Sequence, residues 1–164
     1  MSKSTTKLVR AGLIAGLYVV LSLLTFPIAS GAIQFRLSEA LTLLPLFFVE
    51  AIPALFVGCL LSNLLTGCVL IDVILGSVIT LVAAFFTYFT GKVFNKLYLK
   101  IIIGGLFPVI LNAVFLPIIW LIAYKVSEHV YILQVAFLII SQTISVYVCG
   151  VSLSVVTKRY LLKE

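Results

Sequence analysis

The sequence predicts an all-α membrane protein: a bundle of six transmembrane helices with both termini cytoplasmic, forming a single transmembrane domain over residues 1–164. Three observations carry this. Hydrophobic residues make up 63% of the chain and charged ones 10%, too few polar side chains to cover a globular surface in water. The apolar runs are apolar at nearly every position, whereas the strands of a membrane barrel alternate. The basic residues sit in short clusters between those runs. Despite a net charge of +6, that is the distribution of membrane topology signals and not of a nucleic-acid surface, so no nucleic acid is expected as partner.

The first segment, about 10–29, follows Lys3, Lys7 and Arg10, and Pro27 with Gly31 marks its exit. Ala29-Ser30-Gly31 offers small residues at which a signal peptide could be cut, but the run from Ala11 is longer than a usual signal core and more spans follow at once. A retained helix is expected. The second and third segments, about 38–49 and 53–66, are each shorter than the roughly 20 residues a helix needs to cross hydrocarbon, with Glu50 and Pro53 at the turn between them. The remaining three, about 72–90, 101–124 and 130–157, are long enough to cross alone.

Orientation follows from the basic residues of alternate loops. Lys3, Lys7, Arg10, Lys92, Lys96, Lys100, Lys158, Arg159 and Lys163 fall on one side, nine in all, against Arg36 and Lys125 on the other. The side with nine is read as cytoplasmic. A re-entrant hairpin and two full crossings both return the chain to its starting side, so this orientation does not depend on the short pair.

An ionisable residue in a membrane bundle is costly unless it faces a cavity or a partner, which makes Arg36, Glu39, Glu50 and Asp72 the informative positions. The topology puts Arg36, Glu39 and Asp72 near the external face with Asn63; Asn112 lies midway along the fifth segment, and Trp120 and Tyr124 approach that segment's external end. A bland reading stands beside the functional one. Glu39 and Asp72 are placed where an acid stabilises a helix N-terminus, Arg36 is near enough to neutralise Glu39, and amides often join membrane helices. Trp120 and Tyr124 suit interfacial anchors as well as ligand contacts.

Ala11, Gly12, Ala15 and Gly16 bring small residues four apart onto nearly one face, which lets another helix approach closely, from inside or outside the bundle. No phosphate-cradling loop, metalloprotease motif or Ser/His/Asp set is present, so no enzyme is expected. Cys59, Cys68 and Cys149 show no paired spacing, and His129 is the one imidazole; neither a metal, a cofactor nor a disulfide is expected in this chain.

Gln34-Phe35-Arg36, the run Leu37 to Pro45 (Leu-Ser-Glu-Ala-Leu-Thr-Leu-Leu-Pro), Glu50-Ala51-Ile52-Pro53, Gly58-Cys59, Asn63-Leu64-Leu65 and Asp72 to Ser77 together resemble the QueT family, over essentially the whole chain. The resemblance implies the substrate-binding (S) subunit of an energy-coupling factor (ECF) transporter in the bacterial cytoplasmic membrane. Such a subunit captures a queuosine precursor outside and works with the transmembrane coupling subunit EcfT and two cytoplasmic ATPase subunits. It gives Ala11 and Ala15, with Gly12, a role as a subunit-docking face. A 7-deazaguanine ring presents neighbouring N–H donors that one carboxylate can accept, Glu39 or Asp72, and a carbonyl that Arg36, Asn63 or Asn112 can serve. Gln34 belongs to the same candidate set, and Phe35, Trp120 or Tyr124 can stack on the ring. Two alternatives stay open: the same subunit type for another vitamin or nucleobase, and a structural or regulatory membrane protein.

Overall fold

The computed structural model describes residues 2–29, 35–124 and 128–160. The described residues are helical almost throughout: α1 (Lys3–Ala29), a 3-10 helix (Leu37–Leu46), α2 (Ala51–Leu65), α3 (Leu70–Val93), α4 (Leu97–Tyr124), α5 (Glu128–Thr143), a π-helical segment (Ile144–Cys149) and α6 (Gly150–Tyr160). The last three form one continuous stretch. Four stretches are long and apolar enough to cross a membrane: Lys3–Pro27, Leu70–Val93, Leu97–Ala123 and Val130–Arg159. Their outward sides carry exposed leucine, isoleucine, valine and phenylalanine, as helices in lipid do.

The two short elements differ from the rest. At about 2.0 Å per residue, the ten residues of the 3-10 helix span about 20 Å, and α2, at about 1.5 Å per residue, is little longer. Every residue of the 3-10 helix from Ser38 to Leu46 is buried. It runs through the middle of the molecule, touching α1, α2, α3, α4, the π segment and α6. A 3-10 run of this length is uncommon, since its hydrogen bonds are poorer than those of an α-helix. Local chemistry supports it here: Pro45 supplies no backbone N–H, and the Thr42 hydroxyl donates to the Glu39 carbonyl at 2.6 Å. Neighbouring helices hold it through glycines. A Cβ on Gly91 of α3 would lie 2.6 Å from the Leu46 carbonyl oxygen, and one on Gly150 of α6 would lie 3.0 Å from that of Ala40.

The final segment also departs from the sequence expectation of one regular helix. Within the π segment the hydrogen bonds skip an extra residue, as in the bond from the Gly150 N–H to the Ser145 carbonyl, so Ser145 and Gly150 share a face five residues apart.

Opposite ends of the bundle are chemically distinct. Arg10 donates to Glu50 Oε1 at 2.7 Å and lies over the Phe48 ring, joining the start of α1 to the end of the 3-10 helix. The Gly91–Leu46 approach puts the end of α3 at the same level. Arg36, Asn63 and Asp72, at the other ends of the 3-10 helix, α2 and α3, meet at the far side. Lys125 and Lys163, used in the orientation count, lie outside the described residues.

Because the Leu46 carbonyl cannot retreat from a methyl group at 2.6 Å, Gly91→Ala should lower stability by about 1–3 kcal/mol. Gly16→Ala, where nothing lies within 4 Å, should leave it unchanged or slightly raised. Thermal unfolding of the purified protein in detergent checks both.

Candidate functional site

Glu39 is the centre of the polar interior. It sits in the first turn of the 3-10 helix, 2% exposed, and its carboxylate reaches across to other helices rather than to its own N-terminus. The Tyr18 hydroxyl of α1 donates to Oε1 at 2.8 Å, and Asn112 Nδ2 of α4 donates to Oε2 at 3.1 Å. One turn further along α1, the Ser22 hydroxyl donates to that of Ser38 at 2.8 Å. One carboxylate thereby ties α1, the 3-10 helix and α4 together. Each of its oxygens has accepted one bond, which leaves acceptor capacity on both.

A second group adjoins it. Arg36, half-buried, donates from Nη1 to Asn63 Oδ1 at 3.2 Å and interacts electrostatically with Glu39 and Asp72. Asn63 in turn approaches Cys59 Sγ at 3.6 Å, and Thr80 donates to the same sulfur at 3.4 Å. Asp72, in the first turn of α3 and 5% exposed, lies beside Trp120 and Cys68. Gly76 is the floor shared by these groups: a Cβ there would lie 3.4 Å from both Asn63 Nδ2 and Asp72 Oδ1, and 3.6 Å from Leu116. Behind them Gly58 draws α1 close, with Tyr18 Cβ 2.8 Å from the position a side chain would occupy.

Of the residues expected from sequence, Arg36, Glu39, Asn63, Asp72, Asn112 and Trp120 are brought into this region. Trp120 packs with Ala113, Leu116 and Leu138, an interior indole and not an exposed anchor. Phe35 is half-buried just before the 3-10 helix. Gln34 and the Tyr124 side chain lie outside the described residues. Glu50 belongs to the opposite end, paired with Arg10. The sequence reading missed Tyr18, Cys59 and Thr80. Tyr18 carried a usable signal, since it falls midway along an apolar run and not at the membrane interface where tyrosine concentrates.

The small residues of α1 separate. Ala11 and Ala15 pack, half-buried, against the core around Ile14, Tyr18 and Leu55, while Gly12 and Gly16 open outward, with nothing within 4 Å of where a Cβ would stand.

A family model described as QueT transporter matches residues 8–159. The chain belongs to the QueT transporter family. No curated protein and no solved structure gives a match. As a member of a transporter family it is a multi-helix membrane protein that handles a small-molecule substrate, and not a member of an enzyme family.

The arrangement suits binding. Two buried carboxylates, a guanidinium with donors to spare, two amides and an indole converge from four elements, a set of donors and acceptors suited to a small polar solute. Among the described residues no three of His, Cys, Asp and Glu gather as metal ligands would.

Tyr18→Phe removes one of the two donors to Glu39 and should cost about 1–2 kcal/mol of ligand-free stability. Thermal unfolding in detergent measures it; an unchanged melting curve would contradict the bond.

Proposed function

We propose that this QueT family member is the substrate-specificity subunit of an ECF-type ABC importer. In this reading it binds a queuosine precursor, a 7-deazaguanine such as queuine or a pre-queuosine base, at the external side of the bacterial cytoplasmic membrane for ATP-driven uptake. The observation that carries this reading is Glu39, a buried carboxylate held by Tyr18 and Asn112 with acceptor capacity left over, beside Arg36 and Asp72. The guanine-like edge of the base offers adjacent N–H donors to Glu39, its carbonyl faces Arg36 or Asn63, and an amine substituent takes Asp72 as counter-ion. Trp120 gives the ring an aromatic neighbour.

The reading puts the Arg10–Glu50 end in the cytoplasm with both termini, and the Arg36–Asn63–Asp72 end outside, following the basic-residue count. Six crossings result, the 3-10 helix and α2 being the short pair. Driving uptake falls to the coupling subunit EcfT and two ATPase subunits, which dock on α1. Its outward side, marked by Gly12 and Gly16, supplies the close approach, with Ala11 and Ala15 at the margin between partner and core. The rival ligand class, another vitamin or nucleobase, shares this frame and differs only in which edge groups are satisfied.

Removing either acid leaves ligand donors unpaired. Glu39→Gln or Asp72→Asn should weaken queuine binding by about 1–3 kcal/mol, roughly tenfold to a hundredfold, in titrations on folded protein. Should both acids only hold helices together, affinity stays at the wild-type value and ligand-free stability alone falls.

A further inference from the structure

Four side chains on the last helical stretch, Gln134, Gln142, Ser145 and Ser154, hold a buried polar atom without a hydrogen-bond partner and have no use in the site as described; Gln142 and Ser145 are the two that lie between Leu138 and Val146. Gln142 is 2% exposed and Ser145 fully buried, and neither Gln142 Oε1 nor Ser145 Oγ has a hydrogen-bond partner. A buried polar atom without a partner is costly, more so in a bundle that water does not enter freely. Glu39, Asn63, Asn112 and Thr80, by contrast, are all hydrogen-bonded.

Their level in the bundle follows from their neighbours. Leu138, one turn before Gln142, packs with Ala113, Leu116 and Trp120 of α4. Val146, one turn after it, packs with Val109 of α4 and Leu43 of the 3-10 helix. Gln142 and Ser145 are therefore at the level of α4 between Val109 and Ala113, the stretch that holds Asn112, whose amide binds Glu39. Leu116 borders Gly76, against which Asn63 and Asp72 lie. The π turn adds a second tie: it stacks Ser145 on the face of Gly150, which sits on Ala40, the residue after Glu39. Gln142 and Ser145 thus share the level of the Asn112–Glu39 bond, on an element to which no ligand contact has been assigned.

Building on the ligand-binding reading above, we propose that Gln142, with Ser145 beside it, forms a further wall of the ligand site, its amide oxygen accepting an N–H of the ligand that Glu39 does not take. The ligand class sharpens accordingly: a planar heterocycle with N–H donors on more than one edge, so that masking either edge weakens binding. A solute recognised through one edge alone would leave Gln142 Oε1 buried and unpaired in the bound state as well as in the empty one.

The full chain in detergent tests this with queuine titrations and thermal melts of the empty protein. Gln142→Leu keeps the volume and removes the acceptor. Queuine should bind about tenfold more weakly, while the empty protein melts at or above the wild-type temperature because an unsatisfied group has gone. Ser145→Ala, a single-atom deletion, serves if the leucine variant does not fold, with about threefold weaker binding and an unchanged melt expected. Unchanged affinity in these variants, with affinity lost in Glu39→Gln, overturns the role of Gln142 and leaves the Glu39 site standing. Affinity lost together with stability of the empty protein also overturns it, because the side chain then has a structural partner. If the wild-type chain does not take queuine, the ligand reading fails, yet the empty-protein melt still decides: a lower temperature for Gln142→Leu refutes an unpaired oxygen.

Discussion

Glu39 sits where hydrocarbon-facing helices leave almost no water, and a carboxylate in such a place is tolerated only with donors around it. Tyr18 and Asn112 provide them from α1 and α4, and Arg36 adds a positive charge nearby. Because the donors come from different helices, the burial of this one group fixes how α1, the 3-10 helix and α4 stand to one another. The same requirement explains why the element carrying Glu39 is wrapped on all sides. A tightly wound helix with strained hydrogen bonds persists at membrane depth only when protein, not lipid, surrounds it.

Wrapping it so closely constrains residues far away in the chain. Gly91 and Gly150 give their neighbours' backbones room to reach Leu46 and Ala40, and Gly58 does the same for Tyr18. The polar groups then collect at one end of the bundle, while the Arg10–Glu50 pair closes the other. The proposed one-sided solute site rests on this asymmetry: polar groups gathered toward one end, with a packed apolar cluster that includes Leu41, Leu44 and Leu55 elsewhere in the core.

Much of this was legible in the sequence, for identifiable reasons. An acid, a guanidinium or an amide inside an apolar run is conspicuous, and Arg36, Glu39, Asn63, Asp72 and Asn112 were found that way. The shortness of the runs around Ser38 and Pro53 was visible too. That the first of them winds as a 3-10 helix was not, because Leu37 to Leu46 reads as an ordinary apolar helix and its geometry is imposed by Gly91 and Gly150, distant in sequence. Tyr18, Gln142 and Ser145 were missed because hydroxyls and amides raise no alarm singly; only their burial, and for the last two their lack of partners, makes them informative. On α1, spacing put Ala11, Gly12, Ala15 and Gly16 on nearly one face, whereas packing turns the alanines toward Leu55 and leaves the glycines outward.

In the proposed function Glu39 is the group on which solute recognition depends, and the small molecules that copurify with the protein test that directly. Mass spectrometry of small molecules released from the wild-type chain and from Glu39→Gln, purified side by side, is the decisive comparison. A 7-deazaguanine base released from the wild type and depleted from the variant is the predicted result. A compound without adjacent N–H donors, or equal amounts of the same compound from both proteins, would contradict the assignment of Glu39 as the group that recognises the solute.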